Sequence, residues 1–332
     1  MGVNFTRNQV AKEKQRIETT RPTGFTFPLG LSYGKQVVAA SNVFPTSTGG
    51  TKTIDSTNSV HAFTTSGNFK PGFTGTVEYL QIAGGGSGAG TPGGGGRGGG
   101  GGAGGLVYAH SVPVEKDVTY SVVIGAGGAG STSFTFNPAY QGSNTTTTLP
   151  TVVDAIGGGG FGQPGGSGGG HFPTSSGQGV GVQSTQNPQP GGLSLGNSSS
   201  SPAGGARGGG GAGGPGYNGQ PTAQNPQGLS LAERGGKGYA LSISGTRVGY
   251  AGGGGGLEVV STPHESPGSP TDIPTGSGTH GGDGDGSGGA ANRGSGGGGC
   301  TGSGGGSGGG GGSGIAIVRY ISNQEVVDYF IT

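Results

Sequence analysis

The chain has 332 residues, of which 91 are glycine, 27% are hydrophobic and none is tryptophan, so a conventional apolar core over its whole length is excluded. Charged residues make up 9% with a formal net charge of +1, which argues against a nucleic-acid binder, and the single cysteine excludes an internal disulfide framework. The sequence contains no apolar run of about 18 residues, so no membrane span is predicted. The N-terminal segment MGVNFTRNQVAKEKQR lacks the apolar stretch of a secretion signal.

The first part of the chain has an ordinary sequence texture. Residues 1–59 are polar and extended in character, with aromatic anchors between positions 24 and 46, and we expect them to form an arm that attaches the protein to a partner. Two strands are then predicted from alternation in SVHAFTTSGNF and GTVEYLQIA. In the second strand, Val77 and Tyr79 should face one side, and Leu80 and Ile82 the other.

Glycine dominates the chain from position 84 to position 314, where 82 of the 91 glycines lie. The glycine runs are separated by short strand-like stretches, LVYAHSVPV, TYSVVI, GYALSIS and LEVV, and they end at the apolar strand GIAIVRYI. A flexible linker has no reason to be interrupted by β-branched strands. The pattern therefore favours an ordered domain over a disordered tract.

An ordered glycine run can form the polyglycine II helix, an extended left-handed helix with three residues per turn and no internal hydrogen bonds. Side by side, such helices can satisfy each other's backbone groups, provided that no Cβ keeps their axes apart. We therefore predict a mostly irregular or all-β fold. It comprises a bundle of packed polyglycine II helices with a short β rim, preceded by an extended N-terminal attachment region.

A family resemblance is carried by VHAFTTSGNFKPGFTGTVEYLQIAGGGSGAG, by GAGGLVYAHSVPVEKDVTYSVVIGAGGAG and by the closing GGSGIAIVRY. These segments resemble the glycine-rich domain of bacteriophage virion proteins, which occurs in tail fibres, tail-fibre adhesins and other appendages. The resemblance implies packed polyglycine II helices whose distal loops contact a host receptor in the adhesins. It divides the chain into an arm (1–59), the glycine-rich domain (60–321) and a C-terminal extension (322–332). The chain departs from a simple fibre in lacking a long repetitive shaft.

Sequence signals for catalysis and metal binding are weak, and we expect no enzymatic activity and no cofactor. The glycine motifs lack the strand and helix context of a nucleotide site, and the five histidines show no ligand or triad spacing. The segment DGDGSGGAANRG places Asp283 and Asp285 at the first and third positions of a calcium loop. Gly294 stands at the twelfth position, where a glutamate is needed, so these aspartates are a weak Ca²⁺ candidate.

The polar interruptions of the glycine runs, at 131–150, 171–190, 217–231 and 261–280, combine aromatics or histidine with Asn, Gln, Ser and Thr. Such side chains suit a host surface glycan or an outer-membrane protein. The candidate receptor contacts are Tyr140, His171, Phe172, Tyr217 and His264. An alternative is that the aromatics, Phe134 and Phe136 among them, cap the ends of the glycine bundle.

Three functions follow from this sequence. The favoured one is a non-enzymatic, tail-associated virion surface protein, held to other virion proteins by its arm and binding the host through its loops. A capsid decoration or head-fibre protein without a receptor role is the second. A cell-wall or ice-binding glycine-rich protein is the third. We expect a virion location, no nucleic-acid partner, and a homo-oligomer or multicopy assembly.

Overall fold

The computed structural model describes residues 46–90, 96–133, 137–171, 179–185, 192–199, 207–216, 235–256, 286–302 and 306–322. Within these ranges there is no α-helix, and the protein consists of strands, irregular segments and two 3-10 turns, Pro138–Tyr140 and Gln183–Thr185. The prediction of a mostly irregular or all-β fold is thus confirmed. The described residues contain no helix of the length and hydropathy that a bilayer crossing requires.

The strands follow one another along the chain as β1 Thr51–Asp55, β2 Asn58–Phe63, β3 Gly67–Phe69, β4 Gly75–Ile82, β5 Gly96–Arg97, β6 Leu106–Val114, β7 Tyr120–Val123, β8 Thr146–Thr147, β9 Leu193–Leu195, β10 Tyr239–Leu241, β11 Val248–Tyr250, β12 Thr301–Gly302 and β13 Ile315–Ile321. The strands predicted in VHAF, TVEYLQI, LVYAHSVPV, TYSVVI, GYALSIS and GIAIVRYI are confirmed as parts of β2, β4, β6, β7, β10 and β13. The predicted strand LEVV and the C-terminal segment after Ser322 lie outside the described residues.

Six strands form the main sheet in the order β1-β2-β13-β4-β6-β9, and every neighbouring pair is antiparallel. The last described strand, β13, lies in the middle, with Ile317 opposite Ala62 of β2 and Leu80 of β4. The sheet is therefore completed only when residues more than 230 positions apart come together. Strand β1 belongs to this sheet, although the sequence assigns its residues to the N-terminal arm.

Both faces of this sheet are covered, as the alternation in GTVEYLQIA predicts. Val77 and Tyr79 join one cluster with Phe69 and Phe73, and Leu80 joins another. The second cluster also contains Ile82, Ile317 and Tyr250, and the β10–β11 hairpin contributes Tyr239 and Val248 to its edge. Because both faces are covered over the central strands, the sheet anchors the surrounding glycine-rich segments.

The glycine-rich segments are joined by backbone hydrogen bonds that repeat every third residue. In segment 100–105, the N–H groups of residues 100 and 103 donate to segment 207–210, and those of 101 and 104 donate to segment 294–297. The N–H groups of residues 102 and 105 donate to segment 156–159. Segments 84–89 and 296–300 show the same three-residue period.

Segment 99–105 lies at the centre of this bundle. Its carbonyl groups accept hydrogen bonds from three further segments, 83–89, 165–170 and 252–254, in addition to the three to which its N–H groups donate. Six neighbours therefore surround one backbone, whose residues are all glycine except Ala103. Buried polar backbone is stable only when it is paired in this way.

The close approach of these backbones explains the glycine content. A Cβ on Gly100 would overlap the carbonyl oxygen of Gly254, and a Cβ on Gly101 would overlap that of Gly86. Small side chains do occur at some buried positions of the bundle: Ala89 and Ala103 are fully buried. Ser87, Ser167 and Ser295 are also fully buried, so the bundle admits a small side chain at these positions.

Candidate functional site

The glycine-rich segments have two distinct ends, and the first lies against the main sheet. Strands β4, β6 and β13 are in register at Ile82, Leu106 and Ile315. Each strand continues directly into or out of a glycine-rich segment, and the Ala83 N–H donates to Gly105 O just beyond the sheet. We call this the sheet end of the bundle.

The other end carries the residues that flank the long interruptions, and we call it the loop end. Here Ala89, Gly99 and Cys300 are joined by backbone hydrogen bonds of 2.9 and 3.0 Å, and Gly299 accepts from Gly286 and donates to Gly255. Such hydrogen bonds bring together the described residues that flank five interruptions: 91–95, 172–178, 201–206, 257–285 and 303–305. The described residues that border these interruptions thus lie on one side of the bundle.

Two of the four interruptions are less extensive than the sequence predicts. Within 131–150, the Tyr140 carbonyl accepts from the Ser87 N–H at 2.8 Å, and β8 pairs with β7. Within 171–190, residues 179–185 return to the sheet end, where Gln183 is fully buried. Its Oε1 atom accepts from the Ile156 N–H at 2.7 Å. Much of these two interruptions therefore belongs to the scaffold.

Tyr140 ends the 3-10 turn Pro138–Tyr140, with its backbone in the bundle and its side chain partly exposed. Hydrogen bonds with the side chains of Ser131 and Ser133 lower the pKa of its phenol, because they stabilise the phenolate. The phenol is therefore held against residues 131–133. This position is compatible with either a capping role or a ligand contact.

His171 stands where the chain leaves the bundle for residues 172–178. Its ring lies 5.8 Å from the ring of Phe161, and Gly162, at a positive φ of 66°, leaves room for the imidazole. Burial lowers the pKa of His171, and the positive charge of Arg207 lowers it further. The imidazole is consequently neutral at pH 7, half-buried beside Phe161.

Arg207 is the functional candidate that sequence reasoning missed. Its N–H donates to the His171 carbonyl at 3.2 Å, and its own carbonyl accepts from the Gly100 N–H at 2.9 Å. The residue is 1% exposed, and desolvation lowers the pKa of its guanidinium. The available signal was a single charged residue inside PAGGARGGGGAGG, where a scaffold position would be expected to hold glycine, alanine or serine.

The sequence profile of a glycine-rich domain matches residues 63–321, more than three quarters of the chain. The chain belongs to the glycine-rich domain family. The matched range begins at the last residue of β2 and ends at the last residue of β13, so it covers the bundle and strands β4, β6, β9 and β13 of the main sheet, but not β1. A comparison with curated proteins found no significant match.

The remaining candidate contacts of the glycine-rich domain, Phe172, Tyr217 and His264, lie outside the described residues, as do Asp283 and Asp285. The calcium and receptor predictions at these positions stay predictions. Among the residues that the structure describes, no three His, Cys, Asp or Glu side chains are grouped closely enough to hold a metal ion.

A second candidate site lies on the main sheet of the glycine-rich domain, where a β-bulge places His110 and Ser111 of β6 opposite the single residue Glu78 of β4. Ser111 has a left-handed φ of 55°, which is typical of the irregular backbone at a bulge. A cleft of about 200 Å³ lies here, bounded also by the ends of β2 and β13. Sequence reasoning missed this bulge. The available signal was a change in the alternation of apolar residues within one strand, from Val107 and Ala109 to Val112 and Val114, all of which are buried.

Two weak polar pairs line or border this cleft. The Tyr108 hydroxyl donates to Glu78 Oε2 at 3.4 Å, and Arg319 lies 3.5 Å from Asp55. Burial raises the pKa of Tyr108 to about 12, and the negative charge of Glu78 contributes to this shift. The cleft can therefore donate and accept hydrogen bonds, but the described residues around it contain no nucleophile and base held at hydrogen-bond distance.

Proposed function

We propose that the bundle is a packed array of polyglycine II helices. The three-residue hydrogen-bond period of segments 84–89, 100–105 and 296–300 supports this conformation, because a helix with three residues per turn points every third N–H in one direction. The six neighbours of segment 99–105 are those of a hexagonal array. With a rise of about 3.1 Å per residue, the path from Ala83 to Ala89 measures roughly 19 Å.

We further propose that the protein is a non-enzymatic bacteriophage virion surface protein, tail-associated, which binds a host receptor through the loop end. The observation that supports this function is the separation of the two ends of the bundle. The described chain enters and leaves through strands of the main sheet, whereas the flanks of five interruptions meet at the other end. The strands through which the described chain enters and leaves, and the flanks of these interruptions, therefore lie at different ends of the bundle.

The chemistry of the loop end is consistent with receptor binding. A half-buried neutral imidazole, His171, lies beside the aromatic ring of Phe161, with the buried guanidinium of Arg207 behind it. An aromatic surface with few charges loses little hydration on contact with a host glycan or a membrane-protein loop. The polar cleft lies at the other ends of β4, β6 and β13, away from the bundle, and other virion proteins are the partners proposed there.

Immunoelectron microscopy of intact particles tests this function. An antibody against residues 261–280 should label the tail or fibre tips and block adsorption to cells. An antibody against the β1–β2 hairpin, residues 51–59, is the matched control and should leave adsorption unchanged. Label spread over the head, with normal adsorption, would instead establish the capsid-decoration function. Absence of label from purified particles would favour the cell-wall or ice-binding alternative.

A further inference from the structure

Segment 307–313 has fewer neighbours in the glycine bundle than the central segment 99–105. Its N–H groups donate to two stretches of chain, and its carbonyl groups accept from two others. These four neighbours are residues 85–88, 128–131, 289–294 and 295–298. Segment 99–105 has six neighbours, so within the described residues two sides of segment 307–313 have none.

The backbone groups on these two sides repeat every third residue. Within the described part of the chain, the N–H groups of Ser307, Gly310 and Ser313 form no hydrogen bond. The same holds for the carbonyl groups of Gly308 and Gly311. Ser307 is exposed, and Gly310 and Ser313 are half-buried, so solvent reaches this side of the segment. One row of donors thus lies beside one row of acceptors, and both can bind another backbone.

Segment 307–313 lies between two other partly exposed segments, 126–130 and 286–290. Backbone hydrogen bonds join all three, and we call them the outer layer. In segment 126–130, the N–H groups of Gly127 and Gly130 also form no hydrogen bond within the described residues. The three segments, AGGAG, GSGGA and SGGGGGS, contain only glycine, alanine and serine. The outer layer therefore lacks the charged side chains and proline that usually protect an open backbone edge.

A partner of the outer layer must be rich in glycine. Inside the bundle, a Cβ on Gly311 would overlap the Gly85 carbonyl oxygen, and a Cβ on Gly312 would overlap that of Ala290. A backbone that packs on the outer layer equally closely has the same restriction on its own side chains. It must also offer rows of donors and acceptors with a period of three residues. The outer layer of a second copy of this chain meets both requirements.

We propose that the outer layers of two copies of this chain pair with each other. When one copy is turned end to end and displaced by half the distance between neighbouring segments, its donor rows lie opposite acceptor rows of the other copy. Both directions occur within the bundle, because segment 99–105 runs parallel to 207–210 and antiparallel to 294–297. Such pairing requires the packed array proposed above, but it does not depend on binding to a host.

The pairing is weak for two isolated copies. At a rise of about 3.1 Å per residue, the unpaired rows of segment 307–313 are only roughly 19 Å long, which is short for a stable interface. Copies that an assembly already holds close together pair much more completely, because their effective concentration is high.

Amide hydrogen exchange of the full chain, followed by nuclear magnetic resonance at two concentrations, tests this pairing. The Gly310 and Ser313 amides should exchange about fivefold more slowly at about 1 mM protein than at about 10 μM, as expected for a dimer Kd of about 0.1 mM. Gly309 and Gly312 are the internal control. Their N–H groups donate to residues 295–298 of the same chain and should be protected at both concentrations.

Sedimentation of two matched variants identifies the surface. Ser307→Lys places a charge at the exposed start of the unpaired row and should weaken self-association at least tenfold. Ser242→Lys places the same charge on an exposed serine between β10 and β11, outside the outer layer, and should leave self-association unchanged. Protection of the Gly309 and Gly312 amides verifies that each variant is folded.

A monomer at every concentration, with unchanged exchange of Gly310 and Ser313, would overturn the pairing. Protection of these two amides in a dilute monomer would assign the outer layer to another part of the same chain and overturn pairing between copies. Equal self-association of the two lysine variants would assign it to another surface, with the same consequence. Rapid exchange of Gly309 and Gly312 would contradict the packed array itself, so the two failures are distinguishable.

Discussion

The hydroxyl of Tyr320 and the Nε2 atom of His61 lie 3.0 Å apart, across 259 positions of the chain. Both residues are buried, and Nδ1 of the same imidazole lies 2.7 Å from the Gly49 carbonyl oxygen. Because a carbonyl only accepts, Nδ1 donates to it, while Nε2 forms a second hydrogen bond with the tyrosine hydroxyl. This imidazole joins the segment before β1 to the last described strand.

Loss of this hydrogen bond should destabilise the fold. We expect Tyr320→Phe to lower the free energy of unfolding by about 1–3 kcal/mol, because the buried Nε2 loses this hydrogen bond. Denaturant titration measures the change. Tyr108→Phe is the control: it removes a longer, partly exposed hydrogen bond at 3.4 Å and should cost less. Equal effects of the two substitutions would contradict the assigned role of His61.

A methyl group at the centre of the bundle should be far more harmful than one at its surface. In Gly101→Ala the new Cβ would overlap the Gly86 carbonyl oxygen, and we expect a loss of about 3 kcal/mol or more from overpacking. In Gly288→Ala the nearest atom is the Gly310 oxygen at 3.6 Å, so the change should stay within about 0.5 kcal/mol. Thermal unfolding compares them; similar melting temperatures would argue against close backbone packing.

The raised pKa of Tyr108 should be visible in an ultraviolet titration compared with Tyr108→Phe. The expected value is about 12, and Glu78→Gln should lower it without restoring the ordinary value, because burial is the larger cause. An unfolded tyrosine ionises near pH 10, so this group's contribution to stability is lost as the pH rises from about 10 to 12. An unchanged titration in Glu78→Gln would exclude the Glu78 contact.

Removal of the Arg207 charge should raise the pKa of His171, whereas removal of the Glu78 charge lowers that of Tyr108. Arg207→Gln removes a positive charge, so the pKa of His171 should rise while burial still holds it below its ordinary value. Nuclear magnetic resonance titration of the imidazole protons measures this shift. A His171 pKa that does not move would mean that the two side chains are not electrostatically coupled.

The same lowered pKa makes the loop end sensitive to acid. Above a pH of about 6.5, His171 is neutral in both the folded and unfolded states, and its contribution to stability is constant. Below that value the unfolded state takes up the proton first, so stability falls as the pH drops through the folded pKa. His171→Phe should reduce this acid dependence, as measured by denaturant titration at several pH values.

The sequence alone predicted six of the thirteen described strands, together with a physical reason for the glycine between them. Alternation in GTVEYLQIA placed Val77 and Leu80 on opposite faces, because side chains of a strand alternate with a period of two. The interruption of glycine runs by β-branched segments distinguished an ordered domain from a linker. Both conclusions depend on local chemistry, which is fully present in the residues themselves.

Only the tertiary structure decided which segments are neighbours. The N–H of Gly101 pairs with Gly297, and that of Gly102 with Gly159, yet nothing in a glycine specifies either partner. Backbone groups are identical in every run, so the selection comes from the strands that anchor each run, and above all from the insertion of β13 between β2 and β4. The juxtaposition of Arg207 with His171, and the bulge opposite Glu78, follow from that long-range pairing and therefore escape local reasoning.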